Sequence, residues 1–319
     1  MRRSTATKPM TPDVSASRHA SRGYTAGTVP IAVIAFDFDP LLRLGDGLVV
    51  RWQTIALAAV IATCLMVSGV LARRAGLRSD DLLFIAVGAV PGAVIGGRLG
   101  QLLTMPEAFA TGPLSVLDPA IGGLELGLAV VGGVLTASYV ARLLGAPVGR
   151  WATALALPLL VAIGAGKLSM ALGGSGQGSP VEATWSTAYL GPGPWGSLAP
   201  GLPSHPAQLY EGFASLILAL VLVIGGVGVG SGPRDGRLLL VVLAAWAAIR
   251  AVASITWRDP AVLGPLPAGG VLAAGIAVGA VIAVIAMTLW EGRRMRARAA
   301  PADGEDGPSW PDPETRAQF

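Results

Sequence analysis

An all-α membrane protein with seven transmembrane helices, amino terminus outside and carboxyl terminus inside, is the fold class that the sequence predicts, and three observations predict it. Of the 319 residues, 53% are hydrophobic and only 13% are charged, against roughly 25% charged in an ordinary soluble domain. The apolar residues gather in seven segments, near 50–71, 82–104, 121–141, 151–172, 207–229, 238–257 and 267–290. Each is long enough to cross a hydrocarbon core about 30 Å thick. Basic residues then alternate between the connections. The first carries Arg73, Arg74 and Arg78, the third Arg142 and Arg150, the fifth Arg234 and Arg237, and the stretch after span seven opens with Arg293, Arg294, Arg296 and Arg298. The second and fourth carry none, and the sixth only Arg258. Basic residues are retained on the cytoplasmic side, which fixes the orientation and requires an odd number of spans.

The same counts exclude other classes. Forty-four glycines and 24 prolines lie within apolar stretches without a collagen-like period. A single cysteine, Cys64, rules out an intrachain disulfide and a cysteine-based zinc site. With only His19 and His205 and no carboxylate cluster, the chain is expected to hold no metal and no cofactor. The formal charge is +4, but aromatics are 6% and no basic stripe is interleaved with them, so a nucleic-acid partner is not expected. Residues 1–30, with Arg2, Arg3, Lys8, Arg18 and Arg22 but no apolar core, read as a disordered extension. Residues 31–298 form the membrane domain, and 299–319, rich in Pro, Asp and Glu, read as a disordered cytoplasmic tail.

Taken in order, the spans carry few ionisable groups. Arg98 lies late in span two, Glu125 early in three, Lys167 late in four, Glu211 early in five and Arg250 late in six, with His205 just before five. Given the alternation of direction, all of these fall in the outer half of the bilayer. An ionised side chain at the bilayer centre costs about 2.5–3.5 kcal/mol on insertion scales, so each needs a reason. Three cations suit an anionic headgroup, with carboxylates and a histidine nearby for proton chemistry. Alternatively, Arg98, Lys167 and Arg250 snorkel to the headgroups and Glu125 pairs structurally with a cation. Connection four, 173–206, is Gly-, Pro- and Ser-rich with Trp185, Tyr189 and Trp195, as an interfacial segment would be. At its end Ser204 is placed to cap span five and Pro206 to occupy its first turn. His205, Gln208 and Glu211 then share roughly one helix face.

The run His205-Pro-Ala-Gln-Leu-Tyr-Glu211 resembles the His-Pro-x-Gln-Leu-Tyr-Glu motif of the bacterial prolipoprotein diacylglyceryl transferases. Phe38-Asp-Pro-Leu-Leu, Val50-Arg-Trp52, Ala89-Val-Pro-Gly-Ala-Val-Ile-Gly-Gly-Arg98-Leu, and Arg250 followed by Trp257-Arg-Asp-Pro260 resemble further elements of that family. The resemblance covers about residues 35–295. It implies a multi-pass enzyme of the bacterial cytoplasmic membrane that moves diacylglyceryl from phosphatidylglycerol to the lipobox cysteine of exported preprolipoproteins, recognised through their signal peptides. It implies catalytic roles for His205, Tyr210 and Glu211, and substrate-binding roles for Lys167, Arg98, Arg250, Gln208, Gly178 and Arg258. Membrane lipid is the expected surrounding partner.

The sequence also departs from the family pattern. Gln53 stands for a tyrosine, Lys167 for an arginine, Met170 for an asparagine, Ser175 for a glutamate, and Ser254 for the glutamate of span six. Ser204 occupies the place of a basic residue, and the histidine of the third-span Gly-Gly-Leu-x-x-His-Gly element is absent from Gly122-Gly-Leu-Glu-Leu-Gly127. An alternative reading is therefore a catalytically impaired paralogue that binds anionic lipid or a lipoprotein partner. A solute transporter is a third, for which the chain lacks an inverted repeat and midplane polar sites.

Overall fold

A computed structural model describes residues 34–45, 47–110, 112, 115, 116, 118, 123–226 and 235–299. The expected extension 1–30, the tail beyond 299, His19 and Arg234 lie outside these residues. Three short strands, β1 (Ile34–Phe36), β2 (Leu41–Leu44) and β3 (Leu48–Arg51), lead into α1 (Trp52–Arg74), α2 (Asp81–Thr104), α3 (Leu126–Leu143) and α4 (Val148–Ser169). There follow β4 (Thr187–Tyr189), α5 (Ala207–Ile224), α6 (Arg237–Ala253), a hairpin of β5 (Ala261–Leu263) and β6 (Leu266–Pro267), and α7 (Ala268–Ala299). Among the described residues, seven helical segments are long and apolar enough to cross a membrane, in the places the apolar segments predict. The strands were not expected, and they are confined to one end of the bundle.

Two glycine contacts set the helix packing. Gly88, Gly92, Gly96 and Gly100 recur every fourth residue along α2, and a Cβ on Gly92 or Gly96 would overlap the carbonyl of Gly132 or Leu128 in α3. Helices that bury little apolar area against lipid associate through such close backbone approach. At the second contact, α4 and α5 meet at Gly164 and Gly212, each within 3.1 Å of the other's carbonyl if given a Cβ. Trp246, Leu160, Val242 and Ala156 fill the core between α4 and α6.

The helices alternate in direction. At one end Ala72, Leu77, Ile85, Ala141 and Trp151 pack together, Arg150 reaches the Ala75 carbonyl, and Arg237 pairs with Asp235 and Glu291. The opposite, polar end gathers the starts of α1, α3, α5 and α7 and the ends of α2, α4 and α6.

Two local expectations change and a third gains structure. Span three starts at Leu126 rather than near residue 121, because Glu125 is extended and its carboxylate accepts from the N–H groups of Gly127 and Leu128, both at 2.7 Å. Span five stops at Ile224 on Gly225 and Gly226, the latter at φ +70°. Connection four, expected as an interfacial segment, is folded into a cap at the polar end. In it β4 pairs in parallel with β1, and the rings of Phe36, Phe38, Tyr189 and Trp195 pack on one another at 4.8–6.4 Å. Tyr189 is thereby buried, while Trp185 remains exposed.

Candidate functional site

The α4–α5 glycine contact lies one turn from Lys167 and adjoins Glu211, so the two side chains meet in the core. Lys167 Nζ donates to Glu211 Oε2 at 2.9 Å. From α6, Arg250 reaches the same carboxylate at 3.1 and 3.2 Å and turns its other terminal nitrogen to Glu125 Oε1 at 2.9 Å. Glu125 is held in place twice over: its carboxylate caps α3, and its own N–H donates to the Gly97 carbonyl of α2 at 2.9 Å. Gly100 leaves the room for it, since a Cβ there would sit 2.8 Å from Oε2. The Arg250 guanidinium lies 4.7 Å from the centre of the Trp257 ring, and Gly269 leaves space for that ring.

Four elements thus contribute two cations and two carboxylates to one buried, charge-balanced cluster. Lys167 and Arg250 each pair with a carboxylate inside the bundle. Glu211 is fully buried, and Lys167, with its side chain 13% exposed, is the member nearest the surface.

The remaining residues singled out from the sequence lie in the cap or on its border. Ser204 does not cap α5. That position falls to Pro206, because Ser204 is drawn into β-bridges with Pro180 and Thr187, and its hydroxyl donates to the Leu202 carbonyl. His205 consequently precedes the helix and leaves the face shared by Gln208 and Glu211. It is half-buried, with Nδ1 3.3 Å from the Tyr210 hydroxyl. Gln208 is buried and donates to the Tyr189 hydroxyl at 2.8 Å. Burial pushes the Tyr189 phenol up to about 12, so it stays protonated.

Gly178 is a junction. Its N–H donates to the His205 carbonyl at 2.7 Å, its carbonyl accepts from Arg258 Nε at 2.6 Å, and a Cβ would strike the Thr256 carbonyl. Arg258 also reaches Gln177 Oε1 at 3.1 Å and Ser204 Oγ at 3.2 Å. Arg98 donates to the Asp118 carbonyl at 2.9 Å, in the connection between α2 and α3.

Two features escaped the sequence. Gln177 is the hub of the cap: its amide donates to the carbonyls of Thr187 and Leu202 while its oxygen accepts from Ser197 and Arg258. Nothing in a Gly/Ser-rich loop marks such a residue beforehand. The second is the contact between two positions that depart from the family pattern, Ser175 donating to Gln53 Oε1 at 3.2 Å. An apolar cavity of about 520 Å³ runs between α1, α2, α3 and α4, from Leu126 beside the cluster down to Trp151.

The family model for prolipoprotein diacylglyceryl transferase matches residues 40–289. Among similar proteins named phosphatidylglycerol–prolipoprotein diacylglyceryl transferase, one from a Nostoc species is 26% identical over 259 residues, covering 79% of this chain and 90% of its own. One from Geobacter sulfurreducens is 31% identical over 195 residues, 59% of this chain and 71% of its own. A third, from Bordetella avium, is 29% identical over 240 residues, 73% and 86% respectively.

Proposed function

The chain belongs to the prolipoprotein diacylglyceryl transferase family, and from that membership we propose how its polar end moves diacylglyceryl from phosphatidylglycerol to the cysteine thiol of a prolipoprotein. The thiol gives its proton to a base, and the sulfur attacks the glyceryl carbon bonded to the phosphate oxygen. That C–O bond breaks, a thioether forms, and glycerol phosphate departs with the bonding electrons.

The single observation that carries the assignment of roles is the charge balance of the buried cluster. Both of its carboxylates are already claimed by Lys167 and Arg250, so the proton acceptor falls to His205, held by Tyr210. Lys167, nearest the surface, meets the lipid phosphate, and Arg98 adds positive potential at the same end. Arg250 holds Glu211 and Glu125, and so positions Lys167. Gln208, Gly178 and Arg258 keep the cap closed over the acceptor side, where the signal peptide of the preprolipoprotein docks. The acyl chains enter the apolar cavity beside Leu126. In the cytoplasmic membrane this end faces outward, because the opposite end carries Arg73, Arg74, Arg78, Arg142, Arg150, Arg237, Arg293, Arg294 and Arg296.

The test is turnover: purified protein, phosphatidylglycerol vesicles and a lipobox peptide, with the thioether product read by mass. His205→Ala is expected to lower the rate by about 10²–10⁴-fold while leaving thermal stability unchanged. Lipid-dependent stabilisation without any thioether would support instead the binding-only alternative.

A further inference from the structure

Two hairpins at the polar end are outside the site just described. In the first, Leu42 faces Val50 and Leu44 faces Leu48 across β2 and β3. Side chains alternate along a strand, so these four apolar residues share one face, and Leu41, Arg43, Val49 and Arg51 share the other. At the tip Leu44 and Leu48 are 51% and 57% exposed, and Cβ atoms on Gly45 and Gly47 would touch nothing. The second hairpin, β5–β6, likewise exposes Val262 and Leu263, at 68% and 63%. Each turns through a left-handed glycine, Gly45 or Gly264. Each also runs without a break into a span: Arg51 precedes Trp52 of α1, and Pro267 precedes Ala268 of α7.

We propose that both hairpins lie in the headgroup layer of the leaflet at the polar end. The tip side chains of Leu44, Leu48, Val262 and Leu263 sit among the first acyl carbons, and Arg43 and Arg51 sit at the phosphates. Three observations favour lipid as the occupant. The first hairpin has one wholly apolar face and, on the other, Arg51 and Arg43 beside Leu41 and Val49, with Arg43 paired to Asp39 at 3.3 Å, the mixed chemistry of an interfacial anchor. Trp52, 39% exposed at the junction with α1, is the residue type that collects at this depth. And α1 packs on α4 while α7 packs on α6, so the hairpins stand on different flanks, which a leaflet covers at once.

The inference does not depend on the transferase reading, and its test is positional rather than catalytic. In a Cys64→Ala background, Leu48→Cys and Val262→Cys carry a bimane label in nanodiscs of phosphatidylethanolamine and phosphatidylglycerol. Gly201→Cys, on an exposed cap turn where a Cβ touches nothing, is the reference. Both hairpin labels are expected to be quenched by shallow doxyl lipids about threefold more than the reference, and less by aqueous iodide. Iodide quenching equal to that of the reference would overturn the proposal. So would protection from both quenchers, which would mean that protein covers the tips.

Discussion

The ion cluster and the cap occupy the same end of one bundle and hold polar groups there in opposite ways. In the cluster, Lys167, Glu211, Arg250 and Glu125 bond mostly to one another, and Lys167, Glu211 and Glu125 are carried by helices that meet at glycines. In the cap, Gln177, Arg258 and Gly178 bond largely to backbone groups, and what they fix is a chain path. The difference shows where damage would spread. Removing one member of a charge-balanced set strands another charge in a medium of low dielectric, whereas removing a backbone anchor frees one loop.

That comparison can be broken most severely at Arg250. Arg250→Met leaves Glu125 and Glu211 with Lys167 alone, and a loss of about 3–5 kcal/mol is expected from one uncompensated buried charge. Thermal unfolding in detergent measures it. Pairing Arg250→Met with Glu125→Gln restores the balance and leaves the Lys167–Glu211 pair intact, so the double variant should unfold at a higher temperature than the single one.

Next in size is Gly96→Leu, whose side chain has the Leu128 carbonyl where its Cβ must go. Separating α2 from α3 removes the Gly97 carbonyl from the Glu125 N–H, and overpacking of this kind costs about 1–3 kcal/mol or somewhat more. The same unfolding measurement should place Gly96→Leu below Gly123→Leu, which meets nothing.

In the cap, Gln177→Ala takes one of two donors from each of the Thr187 and Leu202 carbonyls, which keep Ser204, and removes the acceptor shared by Ser197 and Arg258, at about 1 kcal/mol and locally. Limited proteolysis within 173–206 should accelerate while the midpoint for the helices hardly moves. Equal shifts in both readouts would erase the distinction between the two regions.

A pH series probes the cap without a substitution. The Tyr189 phenol titrates near 10 when unfolded and at about 12 when folded. Above pH 10 the unfolded chain has lost a proton that the folded chain keeps, so stability falls as pH rises from 10 to 12. The full effect is on the order of 2–3 kcal/mol. Tyr189→Phe should flatten that slope in an alkaline unfolding series.

Much of this was legible in the residues themselves. The spans could be read because a bilayer demands about 20 apolar residues of any crossing helix, and the polar end because Arg98, Glu125, Lys167, Glu211 and Arg250 recur at matching depths. The His205–Glu211 run marked the start of α5. The fold of 173–206 was not legible. Its glycines, prolines and serines carry no period, and its structure depends on β1, more than 150 residues earlier in the chain, pairing with β4. Ser204 illustrates the same limit: its local context suits a helix cap, but partners at Pro180 and Thr187 claim it first.

By itself the sequence determined the membrane class, the number of crossings and which charges share an end. Those properties follow from solvent and length, and each span meets them on its own. Only the tertiary structure decided that Lys167 and Arg250 pair with Glu211 and Glu125. That choice depends on how closely two helix backbones approach at Gly164 and Gly212 and at Gly96 and Gly132, a distance that no single segment encodes.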